Sequence, residues 1–166
     1  FIETSEGKVG IDTIPLEEDA ARIIKHEQNQ STFKLDRLGI PLVEVVTAPD
    51  LKSPQQIKET ALKIGEILRS CNVKRGIGTI RQDLNISTPN HPRIEIKGFQ
   101  DPKIMIKTIE NEVKRQQQEK KEKGEVRKAH PDATTSFLRP MPGAARMYPE
   151  TDHPLLKVSR QMLNHA

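Results

Sequence analysis

Thr79-Ile-Arg-Gln-Asp-Leu-Asn-Ile-Ser-Thr-Pro-Asn-His-Pro-Arg-Ile-Glu-Ile-Lys-Gly-Phe99 alternates apolar and polar residues on both sides of a Pro-Asn-His-Pro turn. A period of two is the pattern of a half-buried strand, so the stretch predicts a β-hairpin. Ile80, Leu84 and Ile86 from the first strand take one face with Ile94 and Ile96 from the second. Successive side chains point to opposite faces, which leaves Arg81, Asp83, Asn85, Arg93, Glu95 and Lys97 together on the other. That polar face has two readings. It is a salt-bridged surface, with Asp83 paired across the strands to Arg93 or Lys97, or it is a floor for a metal ion and phosphates.

Upstream, Leu42-Val-Glu-Val-Val46 reads as a strand that is apolar on both sides of Glu44. A carboxylate inside a buried strand is costly unless it is paired or coordinates something, which singles out Glu44. Phe33 to Leu38 predicts another strand, joined through Gly39, and Lys8 to Ile14 a further one ending at Pro15. Glu17-Glu18-Asp19 stands just ahead of Ala20-Ala-Arg-Ile-Ile24, where three acids suit a helix N-terminus. Ser53 as N-cap and Pro54 in the first turn open a helix. On it Ile57, Ala61, Ile64, Leu68 and Cys71 form one apolar stripe, with Cys71 as a core residue. Gly76-Ile-Gly78 lacks a following Gly-Lys-Ser/Thr and reads as a turn, not a phosphate loop.

Downstream, Asp101-Pro102 caps a second helix whose apolar face is Met105, Ile106, Ile109 and Val113. From Gln116 to Gly124 the apolar positions vanish, and Gly124 to Ser136 looks like a linker. Arg139 to Pro154 carries four prolines and predicts an extended path over a surface. A short helix is expected from Ser159 to Ala166. The layout of strands, helix, hairpin and helix predicts an α+β fold. A mixed or antiparallel sheet carries its helices on the hairpin's Ile face and leaves the polar face open.

Composition narrows the function classes. With 166 residues the chain is long enough for a core, yet only 34% is hydrophobic and it has four Phe and one Tyr. A net charge of +4 with pI near 9.2 permits nucleic-acid contact without demanding it. No DNA partner is expected. Much of the basic excess lies in Lys114 to Lys128, interleaved with Glu and Gln as on a solvated helix end. One cysteine excludes a disulfide framework and a thiolate zinc site, and the five histidines show no metal-ligand spacing. No run approaches the roughly 20 apolar residues of a membrane span, and no signal peptide is visible, so no membrane partner and a cytoplasmic location are expected.

As an ordered set, Leu35 to Asp50, Ser53-Pro54, Thr79 to Ser87 and Ile94 to Gly98 resemble the B and E subunits of tRNA-dependent amidotransferases, as does Leu16 to Asp19. Ile-Arg-Gln-Asp at Ile80, Ile-Lys-Gly at Ile96 and Arg-Pro-Met-Pro-Gly-Ala-Ala-Arg-Met-Tyr-Pro-Glu-Thr-Asp from Arg139 resemble the archaeal, glutamyl-tRNA(Gln)-specific E type more than the bacterial B type. The resemblance implies a cradle-shaped α+β domain akin to the glutamine synthetase catalytic core. Its implied activity is ATP- and magnesium-dependent phosphorylation of the side-chain carboxylate of glutamate misacylated onto tRNA(Gln). Ammonia from an amidase or asparaginase-like partner subunit then displaces the phosphate.

By the same resemblance Glu44, Asp83 and Glu95 match magnesium-site positions, and one or two of Glu17, Glu18 and Asp19 reach the metal. Lys97 and Arg81 contact phosphate or neutralise those acids, and Arg37 is a further phosphate candidate. Arg146, Tyr148 and Glu150 match the motif as site residues or as a docking strap. The resemblance divides the chain into the main part of the cradle (1–115), a linker or remnant of a missing insert (116–136), a returning segment (137–158) and a truncated helix (159–166). Beginning at Phe1 and ending at Ala166, the chain is expected to be a fragment. Further metal ligands would then lie before it and the tRNA-gripping domains after it. The rival readings are a non-catalytic tRNA-binding or scaffold module and the bacterial-type B subunit.

Overall fold

The computed structural model describes residues 1–76, 78–99, 101–119, 123–142 and 157–165. At its centre is a four-stranded sheet in the order β12 (Thr135–Pro140), β11 (Glu125–Ala129), β10 (Ile94–Lys97) and β9 (Leu84–Ile86). The β9–β10 hairpin is antiparallel, with Ile94 opposite Ile86 and Ile96 opposite Leu84. Asn90 takes the left-handed conformation at its turn, where the His91 amide donates to the Thr88 carbonyl, a conformation Asn tolerates better than most residues. The first strand begins only at Leu84, so Thr79 to Gln82 approaches the hairpin outside the ladder.

Helix α2 (Pro102–Gln118) connects β10 to β11, which run parallel, and so forms a β-α-β crossover. Asp101 caps it, accepting from the Lys103 amide at 2.8 Å, with Pro102 in the first turn where its missing N–H costs nothing. Met105 and Ile109 pack on Leu84, Ile86, Ile94 and Ile96, and Phe99 and Ala129 complete the cluster. Full burial of each such aliphatic contributes about 1.5–3 kcal/mol. Helix α1 (Pro54–Ser70), capped by Ser53, packs against α2 and adds Ile57 and Ala61 to the core. The α+β expectation holds, with the helices on the Ile face.

Four expectations are corrected. The 124–136 stretch is not a linker, because β11 and β12 widen the sheet there. Pairing of Ile96 with Arg127 puts Glu125, Arg127 and Ala129 on the helix side, so this strand faces α2 with charge and shows no apolar alternation. The acids from Glu17 open no helix; β4 (Leu16–Glu18) and β5 (Arg22–Glu27) occupy that region. Cys71 is the exposed C-cap of α1, while Gln56, Thr60 and Gly65 are its buried positions. The strand expected from Phe33 to Leu38 is β6 (Gln30–Lys34), paired with β5, followed by a turn. Helix α3 (Arg160–Asn164) forms as expected, with the Ser159 hydroxyl accepting from the Met162 amide. Gly124 enters β11 against the Arg93 backbone, where an added Cβ would stand under 3.0 Å from the carbonyl oxygen, so no larger residue fits without moving a strand.

The N-terminal strands β1 (Ile2–Thr4) and β2 (Gly7–Val9) form a hairpin that packs on α1, burying Ile2 and Val9. Glu59 on α1 holds its turn, accepting from the Ser5 amide at 3.0 Å and the Ser5 hydroxyl at 2.6 Å. Those bonds, the hydroxyl first, with Lys63 assisting, hold the Glu59 carboxyl down to about 2 from 4.5. A depressed acid stabilises the fold above its unfolded value and loses that contribution as pH falls through the folded one. The contribution is therefore present above 4.5 and lost towards 2. A carboxyl NMR titration is expected to give a Glu59 midpoint near 2, and Glu59→Gln to speed amide exchange in the β1–β2 hairpin at neutral pH. A midpoint at the ordinary value would overturn the assignment.

Candidate active site

Three pieces of chain meet on the sheet face opposite α2. The hairpin supplies Glu95 and Lys97 from β10 and Asp83 just ahead of β9. Lys97 Nζ stands 2.5 Å from Asp83 Oδ2 and 3.0 Å from Glu95 Oε1. Partial burial works against the Lys97 charge, but these two carboxylates outweigh it and hold its pKa above the ordinary lysine value.

The second piece is a two-stranded ribbon of β4 and β7 (Pro41–Val43). Glu17 lies opposite Leu42, and the Glu44 amide donates to the Pro15 carbonyl at 3.1 Å, so Glu17 and Glu44 share one face. Their carboxyls are near enough for Glu17 to act on Glu44. Loss of water around Glu44, then the neighbouring Glu17 and Asp83, push its pKa above the ordinary carboxylate value, with Lys97 only partly offsetting them. Glu44 is therefore not the buried mid-strand acid that its apolar neighbours suggest. It is exposed at the break between β7 and β8 (Val46–Thr47), and the ribbon carries it to a hairpin face that was expected to be open.

The third piece is a clamp around Asp19. Asp19 is buried, ion-paired to Arg81 Nη2 and 3.8 Å from Arg37 Nε, which itself donates to the Ala20 carbonyl at 2.9 Å. The Arg81 hydrogen bond holds the Asp19 carboxyl below its ordinary range despite burial. Glu18 pairs in register with Pro41 on the face of β4 opposite Glu17, and its carboxylate approaches Gly39. Of the acid triplet, only Glu17 joins Glu44. Asp19 serves two arginines, and Glu18 points away.

The structure thus gathers Glu17, Glu44, Asp83, Glu95 and Lys97, with Arg81 bordering them through its electrostatic contact with Asp83. Among the described residues no group of three or more His, Cys, Asp or Glu is arranged to hold a metal ion by itself. Magnesium does not require one, since it binds through one or two carboxylates plus waters and phosphate oxygens. A neighbouring pair of carboxylates with hard oxygen donors fits that demand, and the pKa of Glu44 is raised first by loss of water and then by Glu17 and Asp83. Arg146, Tyr148 and Glu150 lie outside the described residues.

Two cavities stand away from these acids. One, of about 390 Å³, lies between α2 and β12 and is lined by Asn111, Glu112, Arg115, Thr134 and Thr135. Its polar side chains all have protein partners. The other, of about 240 Å³, follows α1 and is lined by the cations Arg69, Lys74 and Arg75 with Gly76 and Gly78. Nothing in the spacing of those cations marks them out in the sequence. Among the described residues no helix is long and apolar enough to cross a membrane.

A family model described as the GatB/GatE catalytic domain matches residues 1–164. The chain is similar to the E subunit of the glutamyl-tRNA(Gln) amidotransferase of Methanocaldococcus jannaschii, at 60% identity over 117 residues. It is also similar to the corresponding E subunits of Methanobrevibacter smithii, at 53% over 116 residues, and Pyrococcus abyssi, at 52% over 128. These matches cover 70%, 70% and 76% of this chain but 19%, 19% and 20% of those relatives. The chain spans about one fifth of the length of the curated relatives it matches.

Proposed function

Because the chain belongs to the GatB/GatE catalytic-domain family, we propose that it carries part of the kinase centre of a glutamyl-tRNA(Gln) amidotransferase. In this reading the side-chain carboxylate of glutamate misacylated onto tRNA(Gln) attacks the γ-phosphorus of ATP, and ADP leaves. Ammonia from an amidase or asparaginase-like partner subunit then displaces phosphate from the acyl phosphate, giving glutaminyl-tRNA(Gln). Relatives whose names specify glutamyl-tRNA(Gln) support the substrate class.

The observation that carries the reading is the placing of Glu17 and Glu44 on one face of the β4–β7 ribbon, each near the other's carboxyl. Two carboxylates held together repel unless a proton or a cation lies between them, and in this reading the cation is magnesium. Magnesium, when bound, supplies positive charge to the phosphate oxygens of ATP. Glu17 and Glu44 would hold it, with Asp83 and Glu95 as the next oxygen donors. Lys97 is ion-paired to those two acids and supplies a cation beside the transferring phosphoryl group. Arg81 and Arg37 act on phosphate only at the expense of the Asp19 clamp, so their assigned role is to fix β4, and with it Glu17.

The non-catalytic scaffold reading is favoured by the Lys97 ion pairs, which a solvated sheet face would also make. It leaves the placing of Glu17 beside Glu44 unexplained. The full-length chain with its partner subunit is expected to hydrolyse ATP in the presence of Glu-tRNA(Gln), to stop in EDTA, and to recover on adding magnesium. Undiminished hydrolysis in EDTA would exclude the metal assignment.

A further inference from the structure

The cavity after α1 is lined by residues 73–76 and 78–80 together with Arg69. Arg69, Lys74 and Arg75 line it, and among the described residues no carboxylate does. None of the three makes a carboxylate ion pair among the described residues, unlike most cations of the sheet face. Arg75 donates through Nη2 to the Arg69 carbonyl at 2.9 Å, covering the open end of α1 and leaving its other donors free. Gly76 and Gly78 present backbone with no side chain in the way, and Val73 and Ile80 give the cavity an apolar floor. Ile80 adjoins Arg81, so the cavity borders the approach to β9 that carries Asp83 into the acid cluster.

We propose that this cavity binds a backbone phosphate of the RNA substrate. The inference rests on the reading that the chain acts on tRNA. Three cations on flexible stems, set at the surface with no carboxylate partner among the described residues, match a singly charged phosphodiester. A nucleotide triphosphate brings magnesium and needs carboxylates beside its phosphates, which this cavity lacks and the Glu17–Glu44 cluster has. The bland role of these cations, complementing the negative end of α1, needs only Arg69 and Arg75 and does not call on Lys74.

The test uses the full-length chain with its partner subunit and measures tRNA(Gln) binding across a salt series, with the KM for ATP alongside. Lys74→Ala is expected to make the log–log salt slope shallower by about 1. Lys74→Glu is expected to weaken RNA binding severalfold more than Lys74→Ala, with the KM for ATP unchanged. Lys74 is used because Arg75 also caps the helix. Unchanged affinity and slope in both variants, with the wild type binding normally, overturns the inference and leaves the functional reading standing. A raised KM for ATP with intact RNA binding overturns it in favour of a nucleotide site. Failure of the wild type to bind tRNA(Gln) removes both.

Discussion

Glu44→Gln in the full-length chain is expected to lower Glu-tRNA(Gln)-dependent ATP hydrolysis on the order of a hundredfold or more, because losing even an indirect metal contact costs about 10–100-fold. The fold should not suffer. Glu44 is exposed, and its carboxyl is raised by lost hydration and by Glu17 and Asp83, so the folded state disfavours its charged form. For an acid with a raised folded pKa, ionisation destabilises the fold above that pKa, and a neutral glutamine removes the effect. Thermal unfolding of the variant should therefore occur at an unchanged or slightly higher temperature. Lower activity with undiminished stability is the signature of a site built against its own repulsion. Wild-type hydrolysis would end the metal assignment, and a parallel loss of stability would make Glu44 a structural residue.

Glu112→Ala is expected to destabilise the chain by about 3–5 kcal/mol, the usual cost of removing one member of a buried ion network. Glu112 is 1% exposed, in the middle of α2. It accepts from Arg115 Nε at 2.9 Å, Thr135 Oγ1 at 2.7 Å and Gln116 Nε2 at 3.2 Å, and stands 3.4 Å from Arg127 Nε. Burial works against its charge, but the Arg115 and Thr135 bonds win and hold its carboxyl below the ordinary range. Alanine would leave Arg127, itself buried, with Glu125 and the Thr135 oxygens as its partners among the described residues. Urea unfolding measures the loss. A change under about 1 kcal/mol would mean that water from the adjoining cavity replaces the carboxylate.

The β9–β10 hairpin, both helix N-caps and the Ile face were legible in the sequence because each depends on neighbours within a few residues. Alternation sets a strand's faces, Ser53 and Asp101 cap their own helices, and Pro54 and Pro102 suit only a first turn. Strand β11 was not legible. Glu125 and Arg127 face the core, and a charged strand enters a core only when α2 brings Glu112 and Arg115 to meet it.

The candidate site divides along the same line. That Asp83, Glu95 and Lys97 share a face follows from a period of two, and the ordered motifs gave the family. Glu17, Glu18 and Asp19 are adjacent and chemically alike, so nothing local separates them. Pairing of β4 with β7 does so, turning Glu17 to Glu44, sending Glu18 to the other face and leaving Asp19 to Arg81 and Arg37. Residue types and spacing by themselves determined the hairpin, its polar face and the acids available to it. Which of those acids stand together was decided by the tertiary structure alone, because strand pairing and buried ion pairs join residues that are distant in sequence.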